Sequence, residues 1–447
     1  MTNQIIKLYK MKFKIYFLGL ITLLFISCKK ETPIKVTTDD FCSAVDTVTG
    51  IMVHDIFSPP VASRIYLYPN VAAYEIMAQN STKYNSLQGQ LKGLDSIPKL
   101  DSKSGVNKNL AALIAHIEVS KQLIFSEEAL EKYRDSLYEK WSSENQKEFD
   151  VSKEYALKVV DRIKMWMGKD NYKQTRTSSK FSVYANQPGR WQPTPPSYMD
   201  GVEPHWGEIR TLVMVSASQF KPKAPHPFST DKNSAFYKEA KETYDVGNLI
   251  SKKLIEVENT KSKLIPEESA IATFWDCNPY ATVTQGHMMF AKKKNTPDAH
   301  WINITKIALK KSKSDFETTV FAYTKTSIGI FESFISCWDE KYKTNVIRPE
   351  TYINQYIDEN WRPQLQTPPF PEYTSGHSVV SSCSAIILTE VYFGLPKRSF
   401  TSFKQAASEA SISRLYGGIH YRAAIENGVV QGNNIGNYIS NKLKMIK

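Results

Sequence analysis

The sequence predicts an all-α protein, one large helical bundle with long loops. Helically spaced apolar residues dominate the chain, alternating strand patterns are scarce, and a Pro-rich irregular stretch from residue 187 to 227 interrupts the helices without any internal repeat. The 447 residues leave room for one large domain or two ordinary ones, and 41% hydrophobic with 12% aromatic content excludes disorder for most of the chain. A formal charge of +12 points to an anionic partner without choosing among nucleic acid, a membrane surface and a small oxyanion.

The first segment carries Lys7, Lys10, Lys12 and Lys14, an apolar run from Ile15 to Ile26, and then Ser27-Cys28. A basic stretch, a dozen apolar residues and a small residue describe an export signal, and the run is too short for a permanent membrane span. The Cys directly after the small residue resembles a bacterial lipoprotein signal, with residues 1–27 removed and Cys28 acylated; an ordinary cleaved signal is the alternative. Met11 to Cys28 would already make a complete signal. Cleavage removes four of the twelve excess charges. Residues 28–45 read as a polar tether, which places the protein in the cell envelope. The exported compartment permits disulfides, and Cys42, Cys277, Cys337 and Cys383 lack metal-type spacing; one disulfide or free buried thiols both fit.

The helical segments follow in order, over an N-terminal half (46–260) and a C-terminal half (261–447) of one compact unit. Asn107 to Phe125 has helical apolar spacing. Ser126-Glu127-Glu128 caps a run to about Trp141, and Ser152 to Met167 carries Tyr155, Val159, Ile163 and Met167 on one stripe. Helices resume at Ser234 to Glu256 and from Glu267. Asp315 to Tyr342 is a long apolar pattern, followed by His377 to Phe393, Thr401 to Tyr416 and Ile419 to Lys444.

Three C-terminal segments carry chemistry. Lys341 and Arg348 stand where a long helix ends, with Pro349 expected to stop it. Ser375-Gly376-His377 opens an apolar helix, offering a hydroxyl, free N–H groups and an imidazole at an anion-binding terminus. Arg414 precedes His420 by six residues, with Gly417-Gly418 turning the chain between them. Three cations, a hydroxyl, N–H donors and two His suit a tetrahedral oxyanion. Taken singly, each segment is weak and is most often a solvated helix end or turn.

Together these segments resemble the vanadium-dependent haloperoxidase and type 2 phosphatidate phosphatase superfamily. Its signature is K-x6-R-P, P-S-G-H and S-R-x3-G-x-H-x3-D. Lys341 to Pro349 matches the first part. Thr374 to His377 matches the second with Thr for Pro, and Ser413, Arg414, Gly418 and His420 match the third. Ala424 stands where the family has Asp. Trp338, Pro368 to Pro371, Trp191 to Pro196, Pro204 to Gly207, His300-Trp301 and Arg64 to Glu75 resemble the soluble bacterial haloperoxidase-like branch.

The resemblance implies two four-helix bundles and a vanadate cofactor, whose place phosphate would also fit. His420 would bind vanadium, while Lys341, Arg348, Ser375, Gly376 and Arg414 would hold the oxygens. His377 would act as acid–base and Lys341 would polarise peroxide. Trp338 and Phe370 would lie near the halide. In the alternative phosphatase reading, His420 attacks a phosphate ester to give a phosphohistidine and His377 protonates the leaving oxygen. Ala424 tilts this toward haloperoxidase, because nucleophilic attack needs an orienting carboxylate more than ligation does; Asn427 shares a helical face with His420. A third reading is a non-catalytic oxyanion-binding lipoprotein. Asp276 is a candidate supporting acid. His54, His116, His205, His226, His287 and His300 read as structural or exposed, and Lys292 to Lys294 as solvated surface. No nucleic-acid motif appears.

Overall fold

The computed structural model describes residues 32–184, 186–260, 265–284, 293–391 and 402–447. The expected signal, Cys28 and His287 lie outside them. Among the described residues the regular structure is helical, with two isolated bridges, Tyr84 to Ile446 and Arg190 to Val346. No described helix is long and apolar enough to cross a membrane.

In chain order the helices are α1 (Thr38–Asp55), α2 (Pro59–Ala78), α3 (Lys108–Lys121), α4 (Glu127–Glu144), α5 (Gln146–Met167), the single turn α6 (Tyr172–Thr175), α7 (Ala235–Asn259) and α8 (Glu267–Phe274). They continue with α9 (Pro297–Ser312), α10 (Phe316–Thr344), α11 (Pro349–Tyr356), α12 (Gly376–Val391), α13 (Phe403–Tyr416) and α14 (Arg422–Lys442).

Helix α10 is the shared element. Its residues from Phe316 to Trp338, except Glu317 and Thr318, are buried on every side, as expected of a helix without a polar face. It packs on α2, which is buried along its whole length, and on α12 and α14. Helices α2, α3 and α5 form one group with α4 and α1 beside them, and α12, α13 and α14 form the other with α10. This matches the helical architecture that the resemblance implies. The close pairing of α12 with α14 depends on small residues. A Cβ at Gly432 would sit 2.2 Å from the Val379 carbonyl oxygen, and one at Gly428 would sit 3.1 Å from that of Ser375. The glycines therefore bring α14 against the very residues that open the Ser-Gly-His helix.

Several expectations need correction. The tether over 28–45 does not run that far: Ile34 and Val36 are in the core, and α1 starts at Thr38. A capping box starts α1, with the Thr37 hydroxyl accepting the Asp40 N–H at 3.3 Å and the Asp40 carboxylate accepting the Thr37 N–H at 2.7 Å. Ser126 does not cap α4 with its side chain; its hydroxyl donates to Asp55 instead. Pro349 does not stop α10. That helix ends at Asn345, whose φ of 51° is left-handed, and Pro349 begins α11, where a missing N–H costs nothing. The four described cysteines are buried and free. Lys294 is not merely solvated, since it pairs with the nearly buried carboxylate of Asp276.

Candidate active site

The end of α10, the loop 365–375, the start of α12 and the turn between α13 and α14 converge on one cavity. It offers about 40 Å³ to water-sized groups, enough for a small anion and little more. Gly376, His377, Arg414, His420, Trp338 and Phe370 all line it, together with Asp276, Cys277 and Tyr280. Trp338 and Phe370, the expected halide neighbours, meet there with ring centroids 4.9 Å apart.

Lys341, Arg348 and Ser375 stand directly behind this lining. The buried Lys341 ammonium donates to the carbonyls of Pro371 and Glu372, each at 3.0 Å, and to that of Thr374. All three of its N–H groups are therefore spent on the loop. To polarise peroxide, Lys341 would have to give up one of these carbonyls. Burial pushes its pKa down to about 7.

Arg348 donates through Nε to the Phe370 carbonyl and through Nη1 to that of Ile419, both at 2.8 Å. Its Nη2 is buried and has no partner in the protein. An N–H aimed nowhere in a buried guanidinium is costly unless an acceptor arrives. Arg414 is held by Ser413 Oγ at 2.9 Å and by the Trp275 carbonyl at 2.9 Å. Ser375 Oγ accepts from Ser378 N–H at 3.3 Å and Ser378 Oγ at 3.0 Å, which leaves its own proton to donate.

The two histidines are neutral for the same reason. Burial first, and then Arg348 and Lys341 for His420 or Arg414 for His377, pull both pKa values well below the usual range. His377 Nε2 lies 2.9 Å from the Trp275 carbonyl, which can only accept. The proton is thus on Nε2, and Nδ1 is the basic atom. His420 Nε2 faces Arg348 Nη1 at 3.2 Å, so its lone pair is turned to the cation side of the cavity.

One functional neighbour was missed in the sequence. Glu372 Oε1 lies 2.9 Å from His420 Nδ1. The carboxylate thought absent because of Ala424 is present, supplied by the loop, so the tilt away from phosphatase chemistry that rested on Ala424 does not hold. Asn427 does not serve His420; its side chain bonds the Tyr373 hydroxyl. The only sequence signal for Glu372 was its position three residues before Ser375. Asp276 does reach the site, between Lys294 and the Arg414 guanidinium. His300 packs on the Trp275 ring at 5.3 Å, and His205 bonds Glu208 and the Ser179 carbonyl away from the cavity.

This donor set fits vanadate. Arg348, Arg414 and Lys341 supply positive charge, Ser375 and the Gly376 N–H end the helix dipole at the cavity, and the orphaned Arg348 Nη2 needs an oxygen.

The sequence model of the VCPO second helical-bundle domain matches residues 321–395 and 393–446. No significant match is found among curated proteins. Among solved structures, a bacterial vanadium-dependent iodoperoxidase is 56% identical, covers 94% of this chain and 99% of its own, and superposes with a TM-score of 0.86. A holo-type bacterial vanadium-dependent chloroperoxidase is 16% identical, over 87% of this chain and 93% of its own, with a TM-score of 0.62. The apo-type gives 15%, 86%, 94% and 0.60, and these two carry the fold alone. With more than half of its residues shared along almost the whole length of the iodoperoxidase, this chain belongs to the vanadium-dependent haloperoxidases.

Proposed function

We propose that the protein oxidises iodide with hydrogen peroxide at a vanadate held by His420. The observation that carries this reading is the meeting of His420, Arg414, Gly376 and His377 at one cavity, with Arg348 behind the lining against His420, in a chain 56% identical to an iodoperoxidase. Bound vanadate supplies a Lewis-acidic centre that activates peroxide toward a halide.

The chain's own residues do the rest. His420 offers the Nε2 lone pair. The Arg348 and Arg414 guanidinium groups, the Ser375 hydroxyl and the Gly376 N–H neutralise and orient the oxygens. Lys341 fixes the loop that presents Ser375 and Gly376. His377 Nδ1 accepts the proton that peroxide must lose, while its Nε2–H stays on the Trp275 carbonyl. Trp338 and Phe370 form an apolar wall that sheds water from a large polarisable halide.

Purified protein loaded with vanadate should oxidise iodide when peroxide is added, read as the triiodide absorbance. The same protein without vanadium should be tested on an aryl phosphate ester. Ester hydrolysis without iodide oxidation would sink this reading. His420→Ala should lose iodide oxidation altogether, and a native rate in that variant would place the chemistry elsewhere.

The N-terminal pattern supports a second, separate proposal: export and anchoring to the cell envelope through a lipid on Cys28.

A further inference from the structure

We infer that Glu372 is the positioning residue for His420, doing from the loop what the family places on the helix at position 424. The inference rests on the reading of His420 as the nitrogen ligand of vanadate.

Two donors meet one carboxylate oxygen. The Tyr421 backbone N–H and His420 Nδ1 each lie 2.9 Å from Glu372 Oε1. The Arg348 Nη1 donor faces His420 Nε2 at 3.2 Å, so that nitrogen carries the lone pair, the ring proton is on Nδ1, and Oε1 accepts it along with the Tyr421 N–H. The neutral imidazole is thereby fixed in its Nδ1–H tautomer, with the lone pair on Nε2. The opposite tautomer would point an N–H at the Arg348 Nη1 donor, 3.2 Å away, and would leave no ligand atom.

The carboxylate is held as tightly as the ring. Glu372 is almost fully buried, its own N–H donates to the Val346 carbonyl at 3.0 Å, and its carbonyl accepts from Lys341 at 3.0 Å. The loop is clamped from both sides of the α10 terminus, so the side chain has little freedom to leave.

Position 424 also shows why the carboxylate is not on the helix. Ala424 is fully buried in a cluster with Phe236, Val346, Tyr352, Tyr373 and Tyr421. An ionised group there would be desolvated among aromatic rings. The Ala424 carbonyl instead accepts the Ser375 N–H at 3.0 Å, which ties α14 to the same loop.

The test compares Glu372→Leu and Glu372→Gln with the native protein. Side-chain 15N shifts of His420 report the tautomer without vanadate, and equilibrium dialysis reports vanadate affinity. Native protein should carry its proton on Nδ1. The Leu variant, which cannot accept, should lose that tautomer and bind vanadate roughly 100-fold more weakly, within the range for lost ligand-orienting partners. The Gln variant keeps an acceptor oxygen and nearly the same volume. It should fold, keep the tautomer and bind vanadate more tightly than the Leu variant. Native vanadate affinity in both variants, or an Nε2-protonated ring in the native protein, overturns the inference. A native Nδ1–H tautomer that Glu372→Leu abolishes, in a protein that binds no vanadate, would instead overturn the proposed function and leave the positioning role standing.

Discussion

His116 shows what burial does to a titratable group with no chemistry to perform. It is buried in α3, with its ring centroid 5.0 Å from that of Phe41, and burial pushes its pKa down to about 3. The unfolded chain protonates this ring below about pH 6.5, while the folded chain does so only near its own depressed value. Folding stability from this group is therefore present above about 6.5 and is lost as pH falls, by about 1.4 kcal/mol per unit. Glu75 and Asp298, each pushed up to about 7 by burial, act in the opposite sense. They hold protons that the unfolded chain has released, so they stabilise most at low pH. The two sets oppose one another between pH 4.5 and 6.5, and the whole-protein profile hides both. A difference measurement separates them. Stability of the native protein minus that of His116→Phe should rise by about 1.4 kcal/mol per pH unit between pH 4 and 6, measured by urea unfolding. A difference that does not change with pH would show that His116 is not held neutral.

At the scale of elements, Glu332 does for the middle of α10 what Lys341 does for its end. Its fully buried carboxylate accepts the backbone N–H groups of Leu212 at 2.6 Å, Val213 at 3.3 Å and Met214 at 2.7 Å. An irregular segment without ladder hydrogen bonds is thereby docked on a helix. Glu332→Ala should cost about 3 kcal/mol or more, since it leaves three buried donors unpaired at about 1–3 kcal/mol each. Thermal melting measures the loss, and a change within about 0.5 kcal/mol, the usual range for surface substitutions, would disprove the docking role. Contacts of this kind also mark where the sequence was legible. Several long helices could be read, because Val159 and Ile163 or Phe331 and Ile335 repeat at a local spacing, but α2 was not read, being buried on every side and carrying Pro69 inside. Most of the site could be read because its cations, Ser375 and both histidines belong to three short motifs. Helix α1 was partly lost to the polar residues before Phe41, although Thr37 and Asp40 form a legible cap. Glu372 was missed because its partner His420 is 48 residues away, and no spacing rule reaches across a loop and two helices.

For the whole molecule, the charge is organised around one place. Lys341, Arg348 and Arg414 are fully buried around a cavity of about 40 Å³, so the cationic excess that matters lies inside. Cys28→Ser should move the protein from the membrane fraction to the soluble fraction of fractionated cells without changing iodide oxidation, and retention in the membrane would remove the lipid anchor. The described chain begins its packing almost at once, since Ile34 is already core and its N–H donates to Glu148 at 2.8 Å.

Helix α10 carries a further consequence. One face of it is wall for α2, another is wall for α12, and its last turn holds the catalytic loop. The border between the two halves is thus a border in sequence only. A mutation that loosens α2 removes packing from the same helix that carries Lys341, so the support of the anion site and the stability of the bundle share one element.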